Sequence, residues 1–194
     1  MSTSSDGRSY HHGDLRAALL QAAAQLLAEQ GEAAISLREV ARRAQVSHSA
    51  PYRHFADREA LLAALATQGF AELLARMCHA GAGLDADARL AALGACYVRF
   101  ALERRGLFRL MFAAPLERGR HPELQQAAEA LHRQLDEAVA ELVAGDTRIA
   151  SLSAWSLVHG LAQLLLDGQV AADEDRDGVI ARVTAGFVAG LRTT

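Results

Sequence analysis

Lysine is missing altogether: each of the 20 basic residues is arginine. We read that uniformity as genomic base composition and draw no function from it. Cysteine is nearly missing too, and Cys78 with Cys96 cannot build a disulfide framework or a four-ligand zinc site. Three prolines and 5% aromatics, set against abundant Ala and Leu, disfavour strands and predict an all-α fold. The longest apolar runs are broken by polar residues, and no segment has the pattern of a secretory signal. A cytoplasmic protein with no membrane partner is therefore expected. Enzyme signatures are lacking as well. There is no His-Glu-x-x-His, no phosphate-cradling glycine loop, and no Ser or Cys in a nucleophile setting, so neither catalysis nor a cofactor is expected. His11 and His12 are adjacent with no other ligand type nearby, which makes a poor metal pair.

What is present is ample apolar material. At 194 residues and 51% hydrophobic, the chain can bury one large core or two small ones. Its net charge of −3 is unevenly spread: residues 1–58 carry a net +1 and the remainder a net −4. His11, His12, His48 and His54 add protonatable sites to the N-terminal part, which points any polyanion partner there.

Periodicity and punctuation predict about nine helices. A Ser-rich arm over residues 1–12 precedes a first helix from Asp14, which Gly31 stops. Ser36-Leu37-Arg38-Glu39 has the form of a capping box and opens a second, two-turn helix. Ser47 is a suitable cap for a third through His54, and Asp57 for a long fourth helix to about His79. Further helices are expected at 86–104, 106–113, 122–144, 147–167 and 174–192. The expected division is an arm over 1–12, a DNA-binding domain over 13–58, and a helical effector-binding and dimerisation domain over 59–194.

The stretch SLREVARRAQVSHSAPYRHF, residues 36–55, reads as two short helices joined by a tight turn. Ala41 is small enough to let the helices cross closely, and Val46 and Phe55 anchor the wedge on the first helix. A wedge of this shape can lay the N-terminal end of its second helix in the major groove of DNA. Helical spacing puts Tyr52 off the face of Val46 and Phe55, which favours an outward role over core packing. Arg42 and Arg43 read as a solvated face.

The string YHHGDLR, the wedge and then DREALL, spanning residues 10–65, resemble the tetracycline-repressor (TetR/AcrR-like) family. Trp155, His159 and Gly160 resemble the Trp-His-Gly element of one C-terminal subgroup. The resemblance implies a homodimeric helical regulator, with an N-terminal DNA-binding domain and a C-terminal domain for a small-molecule effector. By position it implies that Tyr52, His54 and Arg58 hold phosphates, that Ser36 and Ser47 combine capping with phosphate contacts, and that Arg38, His48 and Ser49 meet base edges. Arg8 in the arm is placed to reach the minor groove. One departure stands out: Gln45 occupies a turn position where the family commonly has Gly. A positive φ there would cost on the order of 1 kcal/mol.

In the middle helices Cys96, Arg99, Phe100, Phe108, Met111 and Phe112 are candidates to line an apolar effector cavity, with core packing the alternative for each. Arg99, a charge among apolar neighbours, calls for an anionic ligand or an acidic side chain. Trp155 and His159 lie one turn apart and share a face, as a buried structural pair or as part of the same cavity. The 147–167 helix mixes Leu with Ala, Ser and Gly on nearly every side, so it needs cover on both sides. With the 174–192 helix of each subunit it would form an intersubunit four-helix bundle, and a near-palindromic operator would follow. A helical DNA-binding protein without an effector is the competing reading.

Overall fold

Eight α-helices and no strand occur among the described residues, which in this computed structural model are 15–112, 116–170 and 175–191. They are α1 (Leu15–Gln30), α2 (Leu37–Arg43), α3 (Arg58–Ala80), α4 (Ala86–Glu103), α5 (Arg105–Phe112), α6 (Pro122–Ala140), α7 (Thr147–Leu166) and α8 (Arg176–Leu191). Short 3₁₀ turns lie at Glu32–Ala34, Pro51–Arg53 and Arg118–Arg120. The arm with Arg8, His11 and His12 lies outside the described residues, as does the expected start of the last helix at 174.

The helices begin where acceptors are supplied. Ser36 Oγ accepts the Glu39 N–H at 3.1 Å, and Asp57 Oδ1 accepts the Ala60 N–H at 2.8 Å. Only half of the expected capping box forms: the Glu39 carboxylate turns to Arg42 Nε at 2.9 Å. Asp85 and Asp146 cap α4 and α7 in the same way. The expected third helix is corrected to a 3₁₀ turn. Pro51 has no N–H to return to the Ser47 carbonyl, and the Ala50 N–H takes that acceptor at 3.0 Å, three residues away. α6 also stops short of the expected 144; its last four-residue bond runs from the Val143 N–H to the Val139 carbonyl, two residues before Gly145.

The long α3 forms the axis of the molecule. Its 23 residues reach roughly 35 Å. It packs on α1, α4, α5 and α6, and Glu59 of its first turn meets His121 at the start of α6. Leu61, Leu65, Phe70 and Leu73 are almost fully buried along it. Truncating Phe70 to Ala would remove about 3–5 kcal/mol. α4 lies between this axis and the α7–α8 pair.

α5 is squeezed between three neighbours. A Cβ on Gly69 of α3 would lie 2.6 Å from Met111 Sδ, and one on Gly106 would lie 3.2 Å from the Leu27 carbonyl of α1. Glycine at both positions lets α5 touch the N-terminal head and the axis helix at once. α3 and α7 are each apolar and long enough to cross a membrane by length and composition alone. Within the fold α3 is a core helix, while the outer face of α7 remains open.

Candidate nucleic-acid interface and core cavity

The N-terminal head is built from α1, α2 and the 3₁₀ turn around one apolar centre. Leu19, Leu26, Ile35, Val40, Ala41 and Phe55 are at most 3% exposed. Ala41 is where the wedge closes, since its carbonyl accepts the Val46 N–H at 3.0 Å. The reversal between them runs through Gln45, which has φ 56°, the left-handed value foreseen for that position. Pro51 faces inward and is buried, and the Arg16 guanidinium lies 5.6 Å from the Phe55 ring centroid.

From this base the polar residues face outward. Ser36, Arg38, Ser47, His48, Ser49, Arg53 and Arg58 are exposed, and His54 is half-buried. Tyr52 is 61% exposed although it directly follows buried Pro51. Ser47 Oγ lies 3.3 Å from Ser49 Oγ, while the Ser47 carbonyl rather than its hydroxyl takes the first turn bond. Arg58 has structural work of its own: Nε donates to the Ile35 carbonyl at 2.8 Å and Nη2 to the Glu32 carbonyl at 2.8 Å. It thereby staples the α1–α2 loop to the start of α3. Arg43 pairs with Glu29 of α1 at 2.6 Å and so ties α2 to α1, while Arg42 is the solvated one of the pair.

A second feature lies in the body. Helices α3, α4, α6, α7 and α8, with Phe112 of α5, line a narrow, largely apolar cavity of about 40 Å³. Of the sequence candidates, Phe112 and Trp155 line it. Phe100, Phe108 and Met111 are buried in the surrounding core. Arg99 is not in the wall but exposed at the surface, correcting its placement among apolar neighbours, and its Nε donates to Asp177 of α8 at 2.8 Å. Cys96 is half-buried, and desolvation pushes its thiol pKa up.

His159 stands beside the cavity in an aromatic cluster with Tyr97, Phe108 and Phe112. Its Nδ1 lies 2.9 Å from the Tyr97 hydroxyl, which also accepts the Trp155 Nε1–H at 3.4 Å. Burial lowers the His159 pKa and raises that of Tyr97, so both are held in their neutral forms. Tyr97, His132 and Thr184 supply polar groups to the wall and were not singled out from sequence. Leu124, Leu131 and Leu135 mark the inward face of α6 and could have pointed to His132.

The model for bacterial regulatory proteins of the tetR family matches residues 19–65, and that for the tetracyclin repressor-like C-terminal domain matches residues 90–187. The HTH-type transcriptional repressor Rv3405c of Mycobacterium tuberculosis is 39% identical over 72 residues, a stretch that spans 37% of this chain and 38% of that one. A solved protein of unknown function from Rhodococcus sp. RHA1 is 37% identical, covering 96% of this chain and 100% of its own, with a TM-score of 0.84. FadR from Bacillus subtilis, solved in complex with stearoyl-CoA, shares the fold at a TM-score of 0.72, with 17% identity over 90% of this chain and 98% of its own. With one family model on the head and a second spanning most of the body, the chain belongs to the tetR family of bacterial regulatory proteins.

Proposed function

We propose that this protein is a cytoplasmic, ligand-responsive transcriptional regulator, a repressor that holds a near-palindromic DNA operator as a homodimer. The functional boundary falls near residue 58, with the DNA-binding domain before it and the effector-binding and dimerisation domain after it. The observation that carries the reading is Tyr52: a large aromatic left 61% exposed on a turn whose neighbours Pro51 and Phe55 are buried. Its hydroxyl and ring edge are thereby presented to whatever meets the convex side of the turn. Together with His54 and Arg58 it holds phosphates, Ser36 and Ser47 add hydroxyl contacts, and Arg38, His48 and Ser49 read base edges.

Dimerisation is supported by the open face of α7. Ile149, Leu152 and Leu164 are each about half exposed. At 100° per residue they fall within about 120° of arc, with Gly160 near the middle. A Cβ on Gly160, or on Gly186 of α8, would meet no atom within 4 Å, which leaves room for close approach of a second copy. Twofold symmetry then spaces the two heads by roughly one DNA turn, about 34 Å.

Effector control is supported by the route from cavity to head. Phe112, at one end of α5, lines the cavity, and Gly106, at the other end, lies against Leu27 of α1. A ligand that displaces Phe112 would shift α5, and with it the head. A gel shift against random competitor DNA tests the reading. A specificity ratio of about a thousandfold or more is expected, and a ratio near one would overturn it.

A further inference from the structure

We propose that the effector is a compact, uncharged, largely apolar molecule of about one ring that carries a single hydrogen-bond donor. This rests on the reading of the core cavity as the effector site. The wall includes no Asp, Glu or Arg among the described residues. A carboxylate, phosphate or ammonium group entering it would lose its hydration and find no opposite charge. The space of about 40 Å³ holds on the order of three waters. A single ring fits by displacing them and spreading the wall slightly. A long acyl chain or a fused ring system does not.

The hydrogen-bonding polarity of the wall sets the rest. Its donors are already committed. The Thr184 hydroxyl donates to the Ile180 carbonyl at 2.9 Å, and the Trp155 Nε1–H goes to the Tyr97 oxygen. With that oxygen accepting from Trp155, the phenol hydrogen is directed to His159 Nδ1 at 2.9 Å. His132 is different. Its Nδ1 lies 2.8 Å from the Ala128 carbonyl, which can only accept, so the ring hydrogen sits on Nδ1. The lone pair of the unprotonated ring is therefore on Nε2, and no donor meets it among the described residues. Trp155 holds the ring edge-on, with centroids 4.9 Å apart and planes at 88°. His132 thus offers an acceptor on a wall whose other polar groups, Tyr97, Trp155 and Thr184, have committed their hydrogens, and a hydroxyl or amide N–H would satisfy it.

Three one-ring probes that differ in one substituent test this: phenol, toluene and benzoate. Each is titrated at mildly alkaline pH into the full-length protein by calorimetry, with the emission of Trp155, the single tryptophan, locating the site. Phenol should bind about fivefold more tightly than toluene, and benzoate at least tenfold more weakly than phenol. His132→Phe keeps the ring and removes the acceptor, so phenol should fall to the affinity of toluene. Toluene or benzoate matching phenol, or none of the three binding, overturns the proposal. An undiminished phenol preference in H132F overturns the role of His132. The wild-type ranking decides the matter even if that variant fails to fold. A gel shift separates this claim from the one beneath it. Phenol that binds without changing DNA affinity keeps the ligand class and removes the effector reading. DNA release by stearoyl-CoA, with no binding of the three probes, does the reverse.

Discussion

The head and the body of this protein solve opposite problems with the same few helices. In the head, polar side chains sit on a convex turn over a dry base, so Ser47, His48, Ser49 and Tyr52 meet solvent while Phe55 is buried. In the body, polar side chains turn inward. Tyr97, Trp155 and His159 bond to one another, while Ile149, Leu152 and Leu164 of α7 are left exposed beside Ser153, Ser156 and Gln163. Recognition of a large rigid polyanion needs projecting groups whose spacing is fixed from beneath. Enclosure of a small molecule needs polar groups that are mostly satisfied by one another, with few left for the ligand.

The sharpest way to break this contrast is to put a charge among those exposed side chains of α7. Leu152→Asp should give a monomer in sedimentation and lower operator affinity roughly a thousandfold, toward the non-specific level. A dimer of unchanged affinity would remove α7 from the interface. Next in size is the junction of the two regions. Gly106→Val drives methyls into the Leu27 backbone and should cost about 1–3 kcal/mol in denaturant unfolding.

In the head, Tyr52→Ala should weaken binding to all DNA sequences by about tenfold and leave the thermal midpoint unchanged. Arg58→Ala should lower both, because its bonds to Ile35 and Glu32 are lost as well. A midpoint unchanged in R58A would show that its clamp contributes nothing. The smallest effect is expected at the turn. Gln45→Gly relieves a left-handed φ of 56° and should raise stability by about 1 kcal/mol in chemical denaturation.

Local features were legible from sequence because they depend on residues a few positions apart. The Ser36 and Asp57 caps, the strain at Gln45 and the outward Tyr52 all belong to this kind. The wedge was misread where one missing N–H, at Pro51, tightened a helix into a 3₁₀ turn, where Glu39 left the capping box for Arg42, and at Arg43, which pairs with Glu29 instead of facing solvent alone. The cavity was far less legible. Phe112 and Trp155 were foreseen among its candidates, but Tyr97 and His132 were not. Periodicity identifies the inward face of α6, yet whether that face meets a partner or a gap depends on how far apart five helices sit. Likewise the sequence left Arg99 with either an anionic ligand or an acidic side chain to pair with, because Asp177 lies 78 residues away on a helix that only the fold brings near.

α5 is only eight residues long, and it must satisfy Leu27 at Gly106 and the cavity at Phe112 together. Removing or adding one residue between those points would turn one end relative to the other by about 100° and swing the Phe112 ring off Tyr97. Loops elsewhere can lengthen or shorten as descendants diverge. This segment is a ruler with both ends pinned, at Leu27 and at the cavity wall, and its length is set by the distance between them.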